Sequence, residues 1–225
     1  VRIRNLHPWT TSPARATALQ ERLRPLLSLG GGPRRVRLVA GADVSFEEAG
    51  DVVAGVVLLS FPALDVVEES TVRRRARFPY VPGLLSFREA PPLLAAFARL
   101  RGRPDLVVMD GQGTAHPRRF GLACHMGLLL DIPTVGCAKS LLLGEYGPLG
   151  EARGSRSSLL HRGEVVGAAL RTRDDVAPVY VSPGHLIGLA ASCRWVLALC
   201  RGVRLPETTR RAHALVTRIA RRNPA

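Results

Sequence analysis

Three acidic residues stand in apolar surroundings. Asp43 follows the apolar run 38–42, Asp110 ends the run 106–109, and Glu89 comes directly after Pro82-Gly83-Leu84-Leu85-Ser86-Phe87-Arg88. A carboxylate is costly to bury unless it is paired or holds a cation. Taken singly, Asp110 reads as a helix N-cap and the other two as partners of the abundant arginines. Taken together in a basic chain, three hard oxygen donors suit Mg²⁺ or Mn²⁺, ions that neutralise charge at a phosphodiester.

Other residues carry possible chemistry beside them. Asp110-Gly111-Gln112-Gly113-Thr114-Ala115-His116-Pro117 is a Gly-rich turn between a strand and a helix, able to approach a ligand closely or simply to turn tightly. It lacks the Gly-Lys-Ser/Thr of a phosphate loop. Phe78-Pro79-Tyr80-Val81-Pro82-Gly83 sets Tyr80 between prolines that restrain the backbone, suited either to wedging between bases or to lying on the surface. His213, on the last predicted helix, can ligate a metal or move a proton, or be plain surface.

Lys139 is the single lysine beside 31 arginines. An ammonium is a compact point charge and a guanidinium a planar fork, so one retained lysine hints at a crowded phosphate. Chance survival in an Arg-biased composition explains it equally. The formal charge of +14 on 225 residues points to a polyanion, nucleic acid before membrane. No apolar run approaches the roughly 20 residues of a bilayer span, and the N-terminal residues lack an apolar signal core. Cys124, Cys137, Cys193 and Cys200 form no CxxC pair or zinc spacing, so buried free thiols in a reducing cytoplasm are expected.

The elements that must position these residues follow from periodicity. A helix is predicted over 12–29, then three antiparallel strands over 35–46, 51–61 and 66–78. A helix at 91–101, a strand at 106–109, a helix at 119–130 and a strand at 134–138 make a β–α–β unit. Strands at 164–171 and 179–181 and helices at 186–200 and 207–222 complete the reading. Residues 144–158, rich in Gly and Ser, read as the most flexible loop. The pattern argues for one mixed α/β domain over 1–225.

These motifs in this order resemble the endonuclease V family of deoxyinosine-repair nucleases. The resemblance rests on Gly41-Ala42-Asp43-Val44-Ser45-Phe46, on 79–89, on Asp110-Gly111-Gln112-Gly113 through His125, and on Val135-Gly136-Cys137-Ala138-Lys139-Ser140. Val181-Ser182-Pro183-Gly184-His185 and Leu205-Pro206-Glu207-Thr208-Thr209-Arg210 are similar to the family's later blocks, and Gln112 stands where Asn is also common. The resemblance implies a ribonuclease H-like fold, a five-stranded mixed sheet with helices on both faces. It implies that Asp43, Glu89 and Asp110 hold catalytic Mg²⁺ (Mn²⁺ substituting), with His213 at a further metal-site position and Lys139 as the active-site lysine. Pro79, Tyr80, Val81 and Pro82 would form a strand-separating wedge. Gly83, Leu85 and Gly111 would line the pocket for a flipped hypoxanthine, and Arg88, His116 and Arg118 are candidates for DNA contact.

The implied reaction is hydrolysis of the second phosphodiester 3′ to deoxyinosine, leaving 3′-hydroxyl and 5′-phosphate ends. The implied partner is DNA carrying deoxyinosine or other deaminated bases, bound by a monomer away from membranes. Two further readings stand beside it: an inosine-directed endoribonuclease or structure-specific nuclease of the same fold, and a non-catalytic nucleic-acid binder.

Overall fold

The computed structural model describes residues 1–47 and 50–222, with the side chain of Arg222 left out. The strand prediction for the first half holds: β1 (Leu38–Phe46), β2 (Asp51–Ser60) and β3 (Val66–Arg75) form an antiparallel meander. β4 (Leu106–Met109) lies parallel to β1, and β5 (Thr134–Ala138) parallel to β4. This is the five-stranded mixed unit the motifs imply, and it extends further. Beyond β5 come β6 (Glu145–Tyr146), β7 (Arg156–His161), β8 (Glu164–Leu170) and β9 (Val179–His185), giving one sheet in the order β3-β2-β1-β4-β5-β9-β8-β7-β6.

Helices cover both faces. Residues alternate along a strand, so Val39 of β1 and Leu106 and Val108 of β4 face α4 (Leu189–Ala198) and α5 (Glu207–Arg222). Ala40 and Ala42, with Val107 and Met109, face α2 (Leu85–Arg99) and α3 (Leu122–Leu130). Buried side chains such as Leu58, Phe97 and Met126 contribute about 1.5–3 kcal/mol each. α1 (Pro13–Leu23), capped by the Ser12 hydroxyl, ends earlier than its periodicity predicts. Pro25 follows, and the chain passes into a short 3₁₀ turn, Arg24–Leu26. Among the described residues no helix is long and apolar enough to cross a membrane, and all four cysteines are buried free thiols.

Two further expectations change. α2 starts at Leu85 rather than residue 91, carrying Pro91 and Pro92 inside it. Glu89 therefore lies in the helix's second turn instead of at a loop junction. The predicted loop 144–158 contains β6 and the start of β7, paired with each other and onward to β8.

Candidate active site

The β1–β4 register pairs Ala42 with Met109, so Asp43 and Asp110 occupy the next step at the carboxyl ends of adjacent parallel strands. Adjacent strands lie about 4.8 Å apart. Two residues before Asp43, Gly41 lets α5 come down onto the sheet: a Cβ there would lie 2.0 Å from the Thr208 carbonyl oxygen. That close approach delivers His213, whose Nδ1 lies 2.8 Å from Asp43 Oδ2. Lys139 directly follows β5, and its Nζ donates to Asp110 Oδ2 at 2.5 Å. The Arg204 guanidinium fixes this turn by donating to the Lys139 carbonyl at 2.6 Å.

Glu89 reaches the same edge from α2, 7% exposed. Among the described residues it has no hydrogen-bond or ion-pair partner. Burial, followed by the charges of Asp43 and Asp110, raises its carboxyl to about 8. Burial also raises Asp43, against the opposing hydrogen bond from His213, and Asp110 adds to the rise. The three carboxylates thus share one electrostatic neighbourhood. Among the described residues no three ligating side chains form a ready-made metal group; instead Lys139 and His213 each engage one carboxylate. A buried, unpartnered carboxylate beside two others is nevertheless the deficit that a hard divalent cation relieves, so the donor set fits one.

A second group of residues builds a projecting loop. Tyr80 is 72% exposed, while Phe78 is buried behind it against Phe87, Leu84 and Ala16. Gly83 adopts φ +77°, a glycine-favouring conformation. Its carbonyl accepts from Gln20 Nε2 at 3.1 Å, His116 Nε2 at 2.9 Å and Arg118 Nη2 at 2.6 Å. Burial, then the Arg118 charge, pushes His116 down to about 4, so it acts here as a neutral donor. His116 and Arg118 hold the loop from behind. Arg88 donates to the Phe78 carbonyl at 3.0 Å and lies over the Phe46 ring at 4.5 Å. Gln20 escaped the sequence reading, although a polar residue on the apolar stripe Ala16–Leu19–Leu23 of α1 was the available signal.

Between this loop and Asp110 lies a cavity of about 360 Å³, walled by Tyr80, Gly83, Leu85, Gly111, Leu122 and Lys139, among others. Gly136 of β5 makes room for the 111–113 turn beside it: a Cβ there would fall 2.4 Å from the Gly113 nitrogen. On the far side of Lys139 runs a basic groove of about 540 Å³, lined by Arg201, Arg210, Arg211 and His213. Lys139 borders both spaces. A base-sized cavity, an acidic centre and a basic groove in sequence can seat one nucleotide, hold the phosphate chain and neutralise charge at a phosphodiester.

The family model described as Endonuclease V matches residues 22–214. The chain belongs to the endonuclease V family. An endonuclease V of Gloeobacter violaceus is 55% identical over 212 residues, covering 92% of this chain and 86% of that protein. The crystal structure of endonuclease V from Streptomyces avermitilis superposes with a TM-score of 0.93 at 44% identity, covering all of both chains. An endonuclease V of Ciona intestinalis has been crystallised as a variant with a 23mer DNA containing an inosine followed by a ribo-adenosine. It superposes with a TM-score of 0.84 at 26% identity, covering 93% of this chain and 97% of that one. The ribonuclease H-like fold expected of an endonuclease V nuclease is the one found.

Proposed function

We propose that this chain is a Mg²⁺-dependent deoxyinosine 3′ endonuclease of DNA repair, folded as a single domain over 1–225 and acting as a monomer. The observation that carries the reading is the meeting of Asp43, Glu89 and Asp110 at one sheet edge beside a cavity under an exposed tyrosine. The inosine-containing DNA bound by the Ciona relative supports deoxyinosine as the lesion.

Asp43, Glu89 and Asp110, with His213, would hold Mg²⁺, for which Mn²⁺ would substitute. When bound, a divalent cation supplies charge neutralisation at the phosphodiester and a water of lowered pKa. Lys139 would release Asp110 and place its ammonium against the phosphate oxygens, where charge grows during hydrolysis. His213 would orient or accept a proton from the adjoining solvent. Tyr80, held out by Pro79 and Pro82 with Val81, would fill the space left by the flipped nucleotide. Flipping costs a few kcal/mol, and less for a mispaired base, which itself favours lesions. Gly83, Leu85 and Gly111 would close on the base, and the groove past Lys139 would carry the backbone toward the second phosphodiester 3′ to it. Four buried free thiols suit a reducing cytoplasm.

The deciding experiment is nicking of paired oligonucleotides, with and without one deoxyinosine, titrated with Mg²⁺ and mapped for cut position. Cleavage without dependence on inosine or on divalent cation refutes the reading. The ribo-adenosine in the Ciona complex gives the RNA-directed alternative one specific support; competing inosine in DNA against inosine in RNA in one reaction separates the two.

A further inference from the structure

A buried polar chain reaches the proposed base cavity from behind. His7 Nδ1 lies 3.0 Å from the Pro8 carbonyl oxygen, His7 Nε2 lies 2.8 Å from His125 Nε2, and His125 Nδ1 lies 3.1 Å from Ser86 Oγ. Ser86 and His125 are 2% and 0% exposed, and Ser86 lines the cavity beside Leu85. Phe87 and Phe120 enclose the His125 ring at centroid distances of 5.1 and 5.4 Å.

Burial, then the neighbouring His7, pushes the His125 imidazole down to about 3, and for an uncharged pair the donors in this chain have one arrangement. A carbonyl only accepts, so His7 carries its proton on Nδ1 and presents a bare Nε2. The short contact between the two Nε2 atoms then requires the proton of His125 there. His125 Nδ1 is therefore bare, and the Ser86 hydroxyl must donate to it. Among the described residues Ser86 Oγ has no other partner. Its one hydrogen is spent, so toward any further group this hydroxyl can only accept.

We infer that Ser86 is a specificity-determining residue that accepts a hydrogen bond from the ring N–H of the flipped base. The inference rests on the base pocket of the proposed function and assigns it a reader. Adenine has a bare N1, and hydrolytic deamination to hypoxanthine turns it into N1–H. Cytosine N3 becomes uracil N3–H in the same way. An acceptor with no hydrogen to give matches the deaminated ring and sets two lone pairs against each other in the parent base. The two buried histidines hold that polarity by fixing the hydroxyl.

The test is single-turnover cleavage of duplexes carrying deoxyinosine or purine deoxyriboside, which lacks N1–H, by the wild-type chain and by Ser86→Ala and Ser86→Cys. Losing one neutral hydrogen bond lowers the inosine-over-purine preference about fivefold to tenfold. Ser86→Cys keeps the packing if the alanine variant is unstable. His125→Phe, accommodated among neighbouring aromatic rings, frees the hydroxyl to donate to the bare N1 of purine and lowers the same preference. An unchanged preference in the two Ser86 variants, including an equal loss on both substrates, overturns the inference. A wild-type chain that fails to cut the inosine duplex at all sinks the proposed function instead.

Discussion

Glu89 holds its proton at neutral pH because its surroundings make the charge expensive, and this cost is measurable without DNA. Its carboxyl stands at about 8 against an ordinary 4.5. At about 1.4 kcal/mol per pH unit, that difference amounts to roughly 5 kcal/mol against the ionised form above pH 8. The sign follows from proton counting. Above pH 4.5 the unfolded chain loses this proton while the folded protein keeps it, so stability falls as pH rises, until the folded carboxyl also ionises near 8. At pH 7 the penalty is about 3 kcal/mol. Glu89→Gln removes the ionisable group and with it the penalty. Without divalent cation the variant should melt higher than the wild type at pH 7, by roughly 6–12 °C for a chain of this size. The gap should close toward pH 4.5. Adding Mg²⁺ should raise the wild type more than the variant, because the cation replaces the proton on the glutamate alone. Calorimetry of both proteins with chelator and with Mg²⁺, from pH 4.5 to 8, provides the readings. A gap that does not change with pH, or an equal gain from Mg²⁺, refutes the account of Glu89 as an electrostatically crowded ligand.

Other outcomes follow from the same geometry. Asp110→Ala should abolish nicking of an inosine duplex while gel-shift binding survives; cleavage near the wild-type rate would remove Asp110 from the site. Lys139→Arg keeps the charge but replaces an ammonium 2.5 Å from Asp110 with a planar fork, and single-turnover cleavage should drop at least about tenfold; equal rates would make the lone lysine a coincidence. Gly41→Ala drives a methyl into the Thr208 carbonyl, so urea unfolding should show a loss of about 1–3 kcal/mol. Tyr80→Ala removes a 72% exposed ring, so the melting temperature should stay nearly constant while cleavage of inosine duplexes falls.

The sequence made some elements plain and concealed others, for physical reasons. Glu207–Arg222 was legible to the residue because a polar and an apolar face alternate cleanly along it. β1, β2 and β4 were legible because apolar runs of strand length end at turns or at Asp110. α2 was misplaced because Pro91 and Pro92 look like a helix start. They sit deeper, leaving the Phe87 and Arg88 carbonyls without helical donors, and burial of Phe87, Leu93 and Phe97 supports the helix around them. β8 was legible at 164–171, but β7 and the hairpin joining them were hidden because the turn, Arg162-Gly163, places an arginine at φ +56° where Asn or Asp is the usual signal. Asp43, Glu89 and Asp110 stood out as misplaced acids, whereas His213 carried no local mark beyond the family resemblance, because its neighbour Asp43 lies 170 residues away in sequence. His7, His125 and Ser86 gave no local signal, since their relation exists only in the packed interior.

That separation between Asp43 and His213 also orders events during synthesis. Chains emerge from the ribosome N-terminus first and fold as they do so, so β1, α2 and β4 are present with all three carboxylates long before α5. Until that helix arrives, the strip of sheet at Gly41 lies uncovered and Asp43 lacks its histidine neighbour. A nascent chain therefore carries the three acidic residues before the histidine that lies beside Asp43. His213 on α5 meets Asp43 only after the 170 residues that separate them in sequence have been made.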